Sequence, residues 1–302
     1  MPLKGDARTV TTSGRNEHAA FRRALVRRSQ SLSRDLPWIN DPRPWAVLVS
    51  EVMLQQTSTS RVLEPWRRFM ERFPTPSSCA QASLAEVLAS WHGLGYPRRA
   101  KALHDTARLL RDEYDDVVPS DVELLRRLPG VGDYTSAAVA SFAYGEPVAV
   151  LDTNVGRVLS RALTNRRLRP REARSLANDL LPRQNAAAFN QSMLDLGAQF
   201  CRATPRCAEC PLAAHCAWQR DGGPDPAPLS AAVSRRQAPF EGSNRQLRGQ
   251  ILRALLEGPC SRRKLFTVLS DVKGARGDEV LAGLVQDGLV TRRSQVFSLP
   301  AQ

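Results

Sequence analysis

Leu128-Pro129-Gly130-Val131-Gly132-Asp133-Tyr134-Thr135 is the stretch that decides the fold. It lies between two apolar segments of helical spacing, expected over Val122–Leu128 and Tyr134–Phe142. Gly130 and Gly132 permit the positive φ that other residues resist. They also leave the backbone amides of the turn unscreened by side chains. The second helix starts near Asp133–Tyr134, so its free N–H groups and the positive end of its dipole can face a phosphate. That is a sequence-independent grip on a nucleic-acid backbone. A bare Gly-x-Gly would read as an ordinary tight turn. The full string, followed by Thr135 and the small residues Ser136–Ala140, is far more specific.

Outward from this turn the pattern is helical almost without interruption from His18 onward. Further helices are expected over Ala19–Leu32, Trp45–Gln56, Val62–Arg72, Leu84–Ser90, Arg98–Tyr114, Val155–Leu163 and Ala186–Leu196. Apolar positions recur at spacings of three and four, as at Leu103, Ala107 and Leu110. No run of alternating strands precedes residue 285, so the body is all-α. Residues 1–16 are polar and are expected to be disordered; residues 17–220 form the main domain. The composition shifts after Cys216, and Asp221-Gly-Gly-Pro-Asp-Pro-Ala-Pro228 opens a linker over 221–243. Residues 244–302 then predict three helices (Arg245–Leu256, Arg262–Leu269, Asp278–Asp287) and a hairpin pairing Leu289–Arg292 with Gln295–Leu299. That order is winged-helix-like, a small α+β unit. From Ser243 to the end, ten basic against five acidic residues leave a local +5, which suits either a nucleic-acid contact or a plain packing module.

The whole chain of 302 residues carries 43 Lys and Arg against 30 Asp and Glu, a formal charge of +13. Only Lys4, Lys101, Lys264 and Lys273 are lysines, so the excess is arginine, which forks onto phosphate oxygens. A polyanionic partner such as double-stranded DNA fits this balance. The N-terminus has no signal-like apolar core, and no stretch approaches the roughly 20 apolar residues of a membrane span. The expectation is a cytoplasmic, nucleoid-associated protein without membrane contact, and nothing demands more than a monomer.

Four of the six cysteines form the array Cys201-x5-Cys207-x2-Cys210-x5-Cys216, and such compactness in an unexported chain points to metal rather than disulfides. Zinc and an iron–sulfur cluster are both open on residue type. A zinc ribbon offers two CxxC knuckles, whereas only the central pair here has that spacing. Cys79 and Cys260 read as core or incidental residues. Among residues 45–54 only Ser50 and Glu51 are polar. A carboxyl in that setting is desolvated, its pKa is raised, and it suits proton donation near neutral pH. The alternative is a Glu51 facing solvent from an amphipathic helix. Asp152, in Val148-Ala-Val-Leu-Asp-Thr-Asn-Val-Gly-Arg-Val158, follows an apolar approach and sits at a helix start whose dipole would keep it ionised. It is either an N-cap or the second carboxylate of a pair that splits a glycosidic bond, or both.

Taken together, the LPGVG turn, the four-cysteine array, Ser50-Glu51-Val-Met-Leu-Gln55-Gln56-Thr57 and Leu151-Asp152-Thr-Asn-Val-Gly-Arg-Val-Leu-Ser-Arg161 resemble the helix–hairpin–helix endonuclease III superfamily of DNA glycosylases, and among them the adenine DNA glycosylases. The resemblance runs from about Phe21 to Cys216. It implies a six-helix subdomain over about 45–145, an iron–sulfur subdomain from about 17–44 and 146–220, and one 4Fe–4S cluster on Cys201, Cys207, Cys210 and Cys216. The first cysteine gap is five residues here and usually six in the family. Arg202, Arg206 and Arg220 in and after this loop fit phosphate contacts. The resemblance further implies that Glu51 protonates the purine leaving group and later helps activate water, while Asp152 steadies the cationic sugar and Asn154 supports the local geometry. Tyr134 stands where the strand-cleaving relatives carry a Schiff-base lysine, which makes this chain monofunctional. DNA contacts are implied for Gln55, Gln56, Tyr96, Leu128, Gly130, Val131 and Gly132. Gln56 and Tyr96 would brace the stack around an extruded base, and Trp38 would line the base pocket or pack beneath it. Tyr96 lies in Gly93-Leu-Gly-Tyr96-Pro97, where Pro97 replaces the family's second tyrosine.

The implied activity is excision of adenine opposite 8-oxoguanine or guanine, although the short tail does not match the larger C-terminal domain many relatives use to read the oxidised base. A thymine-mismatch glycosylase on the same scaffold and a non-catalytic iron–sulfur DNA-binding regulator are the competing readings.

Overall fold

The computed structural model describes residues 12–233, 238–268 and 275–300. In chain order the helices are α1 (Thr12–Arg27), α2 (Ser29–Leu32), α3 (Pro44–Leu54), α4 (Thr59–Arg72), α5 (Pro76–Gln81), α6 (Leu84–Ser90), α7 (Pro97–Glu113), α8 (Val122–Arg126), α9 (Asp133–Tyr144), α10 (Thr153–Val158), α11 (Pro170–Leu180), α12 (Ala186–Gln199) and α13 (Ala217–Asp221). They are followed by α14 (Asn244–Leu256), β1 (Cys260–Ser261), α15 (Arg262–Val268), α16 (Ala275–Gln286), β2 (Thr291–Arg293) and β3 (Val296–Ser298). The body is thus all-α, as expected. The chain divides into two compact units, Met1–Asp35 with Ala140–Arg235 and Leu36–Val139 with Arg236–Gln302, here called the cysteine unit and the hairpin unit.

The hairpin unit is built around α3, whose residues Trp45 to Met53 are all buried. A helix apolar on every side belongs in the middle of a core. Pro44 starts it at a position where a missing N–H costs nothing. The indole N–H groups of Trp45 and Trp66 donate to Phe73 O and Ala46 O at 3.0 and 3.1 Å, tying α3 to α4. Aromatic edges fill the remaining space: Trp38 on Trp66 at 5.9 Å and Phe69 on Phe73 at 4.9 Å between centroids. α6 occupies the expected residues because Ser83 and Glu86 form a reciprocal capping box. On α7 the spacing read from sequence is the buried stripe Leu103, Ala107 and Leu110.

The C-terminal segment groups with this unit instead of standing alone. Its sheet has the order β1-β3-β2, both pairs antiparallel, with Cys260 opposite Phe297 and Arg293 opposite Val296. Three helices, a first short strand between the first two, and a terminal hairpin make the winged-helix topology. β1 was not expected, since two residues show no periodicity. Leu269, the expected end of the second helix, lies outside the described residues.

In the cysteine unit α1 buries Phe21, Ala24 and Leu25, and α12 buries Phe189, Met193 and Leu196. Buried Asn190 is fully engaged: its Nδ2 donates to Ser141 Oγ at 2.9 Å and Val148 O at 2.8 Å, and its Oδ1 accepts from Val150 N at 3.3 Å. Three expectations are corrected here. The helix α1 starts at Thr12, inside the tail read as disordered, because extending a nucleated helix backward is cheap; residues 1–11 lie outside the description. The single helix expected over Val155–Leu163 is α10 followed by a π-helical stretch, Leu159–Thr164. Part of the expected linker is packed: Ala227 is buried, Ala231 N donates to Leu168 O, and Ser230 Oγ accepts from Leu168 N. Only residues 234–237 of it lie outside the description. The helices α5 and α11 were not anticipated, although both begin with proline at their first turn.

Candidate active site and metal centre

Glu51 belongs to no solvent-facing stripe: its helix is buried all round from Trp45 to Met53, and the residue is 5% exposed. The solvent-facing alternative is therefore removed. α3 stops at Leu54, where four carbonyls would be left without partners. Arg99 meets them. From the first turns of α7 its Nη1 donates to Val52 O, Met53 O and Gln55 O at 2.8, 2.9 and 2.5 Å. Its Nη2 donates to Thr57 Oγ1 at 2.9 Å and to Leu94 O and Gly95 O, each at 3.2 Å. One side chain thus caps the helix bearing Glu51 and fastens the loop that precedes Tyr96. Burial presses the Arg99 pKa down to about 10, the mark of a charge held by dipoles and ring faces and not by a carboxylate.

Gln55 reaches from the end of α3 to the hairpin: its Nε2 donates to Gly130 O and to Thr135 Oγ1, both at 3.2 Å. Gln56 is exposed, with φ of 57°. In the hairpin, Leu128 and Val131 are buried at 2% and 7% exposure, so only their backbone groups are available to a partner. Gly130 adopts φ of 76°, and a Cβ there would stand 2.8 Å from Ala102 Cβ. Gly132 does not have the positive φ expected of it. It is exposed, and a Cβ would meet nothing within 4 Å, so nothing inside the molecule demands glycine there. Tyr134 is half-buried at the second residue of α9. Trp38 is buried edge-on against Trp66. Tyr96 is half-buried in the left-handed conformation, φ 48°, immediately before α7.

In the cysteine unit, Asp152 caps α10. Its Oδ1 accepts from Val155 N at 2.8 Å and its Oδ2 from Asn154 Nδ2 at 2.6 Å. Asn154 Oδ1 in turn accepts from Arg157 Nη2 at 2.6 Å, and Arg157 Nε donates to Cys201 O at 2.6 Å. Gly197 makes this possible: a Cβ on it would lie 2.6 Å from Asn154 Cβ. The N-terminal amide expected to favour the ionised form of Asp152 is present. Burial pushes the Asp152 carboxyl above the ordinary range, against the pull of Val155 N–H, Asn154 and the Arg157 guanidinium.

Cys201, Cys207, Cys210 and Cys216 all line one cavity, together with Phe21, Leu196, Leu212 and Trp218, and none is disulfide-bonded. Among the described residues no three His, Cys, Asp or Glu side chains converge as a single metal ion requires. Burial raises Cys201, Cys210 (to about 11) and Cys216. The opposing charge comes from Arg161 on the π-helical stretch, only 1% exposed, whose Nη1 donates to Cys201 Sγ at 3.5 Å and to Arg202 O at 2.6 Å. Asp225 accepts from its Nε and Nη2 at 2.8 and 2.6 Å. Arg206 pairs with Glu209, and Arg220 with Asp221 and Glu17. Cys79 and Cys260 are buried elsewhere.

The hairpin unit therefore joins Glu51, Gln55, the hairpin and the Tyr96 loop through Arg99, and the cysteine unit joins Asp152 to the cysteine loop through Asn154 and Arg157. Sequence reasoning missed Arg99, Arg157, Arg161, Gly197 and Asp225. The i, i+4 placement of Arg157 and Arg161 within the quoted string was the available signal.

Residues 49–183 match the HhH-GPD superfamily of base excision DNA repair proteins. An adenine DNA glycosylase of Mycobacterium tuberculosis is 45% identical over 285 residues, covering 90% of this chain and 91% of its own. Among solved structures, a thermostable thymine-DNA glycosylase superposes with a TM-score of 0.62 at 25% identity, over 68% of this chain and 98% of its own. A trapped endonuclease III–DNA covalent intermediate gives 0.60 at 25% identity, over 68% and 97%. The solved structures thus cover two-thirds of this chain, whereas the mycobacterial match extends into the winged helix.

Proposed function

The chain belongs to the HhH-GPD superfamily of base excision DNA repair proteins, among its adenine DNA glycosylases, and from that premise we propose that it releases adenine opposite 8-oxoguanine or guanine in double-stranded DNA without cutting the strand. The observation that carries the chemical part is Glu51, a carboxyl almost wholly withdrawn from water on an interior helix. Such surroundings favour the neutral acid, which is the form able to give a proton to the purine. As the bond between the base and the deoxyribose breaks, its electron pair leaves with the protonated purine and positive charge appears on the sugar. Asp152 would steady that charge as the ionised partner of the pair. Water adds to the sugar, and the glutamate left anionic takes its proton. Tyr134 supports the carboxylates; a phenol forms no imine with the sugar, so the product is an intact abasic strand.

Gly130, Gly132 and the start of α9 would hold a phosphate through backbone N–H groups. The open space around Gly132 would leave its amide accessible to such a partner. Gln55, Gln56, Tyr96, Leu128 and Val131 complete the contacts to DNA, and Trp38 underlies the base pocket. Cys201, Cys207, Cys210 and Cys216 would hold one 4Fe–4S cluster, which when bound supplies a rigid cross-link of its loop. Residues 17–220 form the glycosylase core and 244–302 a winged-helix-like unit, acting as a monomer on the nucleoid. Among the described residues no helix is long and apolar enough to cross a membrane.

The test is a single-turnover panel on duplexes with A opposite 8-oxoguanine, A opposite G, and T opposite G, using protein of measured iron and sulfide content. The expected result is release of adenine from the first two, with strand breaks only after alkali. Release of thymine from T opposite G, or breaks without alkali, would overturn it.

A further inference from the structure

The winged-helix segment grips the region around Tyr96 at three points. Arg245, on the first turn of α14, donates from Nη1 to Tyr96 Oη at 2.8 Å, and its guanidinium lies 5.7 Å from the centre of the Tyr96 ring. Arg99 lies 5.3 Å from the same ring, so the tyrosine is flanked by two cations. Two residues on, Arg98 is paired with Asp287, a carboxylate with a side chain only 6% exposed that also holds Arg248 of α14. Beside it, Gly288 lies against the Lys101 stem, where a Cβ would stand 3.1 Å from Cε. Arg245 is itself anchored, its Nη2 donating to Ala238 O at 2.6 Å.

α16 buries Val280, Leu281 and Leu284, its Asp278 is held by Arg262, and Asp287 follows its last turn. Meanwhile Tyr96 is kept in a left-handed conformation that a bulky residue adopts only when its surroundings over-determine it.

We propose that the winged-helix unit is a brace for base extrusion, with Arg245 as the positioning residue that presets Tyr96 to enter the DNA stack. The inference rests on the reading of Tyr96 as the bracing side chain. A preset aromatic loses less freedom on entering the duplex than one that must be ordered at that moment. The charge-assisted bond to its hydroxyl, between two cationic neighbours, is what this chain supplies toward that end.

Stopped-flow fluorescence of 2-aminopurine placed beside a non-hydrolysable 2′-fluoro-adenosine opposite 8-oxoguanine reads extrusion directly, on the full-length protein. The expected result is that Arg245→Met and Tyr96→Phe each slow extrusion about tenfold, the scale of one charge-assisted hydrogen bond. The double variant should be no slower than either single one, Arg245→Lys should recover part of the rate, and duplex affinity should stay within about twofold. Tyr96→Phe leaves the Arg245 anchor intact, so it guards against a mere folding defect. Normal or faster extrusion by Arg245→Met, or fully additive effects, with Tyr96→Ala slow, would overturn the brace and leave the Tyr96 reading standing. Normal extrusion by Tyr96→Ala would overturn both.

Discussion

In the hairpin unit the backbone that carries Glu51 is held by Arg99, which gives its hydrogen bonds to five carbonyls and one hydroxyl and meets no carboxylate in that set. In the cysteine unit the same task falls to Arg161, which holds Arg202 O and Ala203 O but is also forked onto Asp225. Both arginines cap chain segments whose carbonyls would otherwise be orphaned, and both rest against aromatic rings, Trp91 and Trp218. They differ in how the charge is met. Dipoles suffice where Arg99 is half-buried; a full countercharge accompanies Arg161, which is almost sealed from water. Functional backbone in this molecule is thus fixed by buried cations, with the strength of the partner matched to the depth of burial.

The sharpest way to break that comparison is to remove the deeper cation. Arg161→Met should destabilise the cysteine unit by about 3–5 kcal/mol, the cost of leaving interior carbonyls unsatisfied together with a partly exposed Asp225 without its partner. Urea unfolding followed by Trp218 fluorescence would show it, with loss of bound iron from the same preparation. Arg99→Met should cost less, about 2–3 kcal/mol, because it leaves polar groups unsatisfied but strands no charge. An equal loss in the two variants would erase the distinction. Gly130→Ala should cost about 1–3 kcal/mol through its left-handed backbone and its crowding of Ala102, and should weaken duplex binding. Gly132→Ala should leave stability within about 0.5 kcal/mol yet weaken binding as well.

The smallest effect is in pH. Arg161 holds the Asp225 carboxyl below its ordinary value although burial works against this. Its contribution is therefore complete above the unfolded carboxylate pKa near 3.9 and disappears as pH falls through the lower folded value. Trp218 fluorescence should hold through pH 4 and change only below it, and Asp225→Asn should abolish that step. Asp152 is shifted the opposite way by burial, so the acid limb of the excision profile should lie above about 3.9.

What the sequence disclosed and what it hid follow from the range of the interaction involved. The interior position of Glu51 was partly legible: only Ser50 and Glu51 are polar between Trp45 and Leu54, but the sequence left a solvent-facing Glu51 open. α6 was legible because Ser83 and Glu86 cap it locally. The winged helix was legible in order but not in its first strand, which exists only by pairing with β3. Arg99 and Arg161 were not legible: each is one arginine among many, and its carbonyl partners are defined by where distant segments end. Gly197 was hidden for the same reason, its need for glycine arising from Asn154 on another helix. The upward pull of burial on Asp152 was not legible, because a cap is local, whereas burial is a property of the whole unit.

The central claim is that a dry acid on an interior helix supplies the proton that lets the purine leave. Single-turnover excision by Glu51→Gln on duplex with A opposite 8-oxoguanine tests it most directly, with duplex affinity measured alongside. The account predicts a rate loss of about 10²–10⁴-fold with affinity unchanged. A rate within a fewfold of the native protein would contradict it.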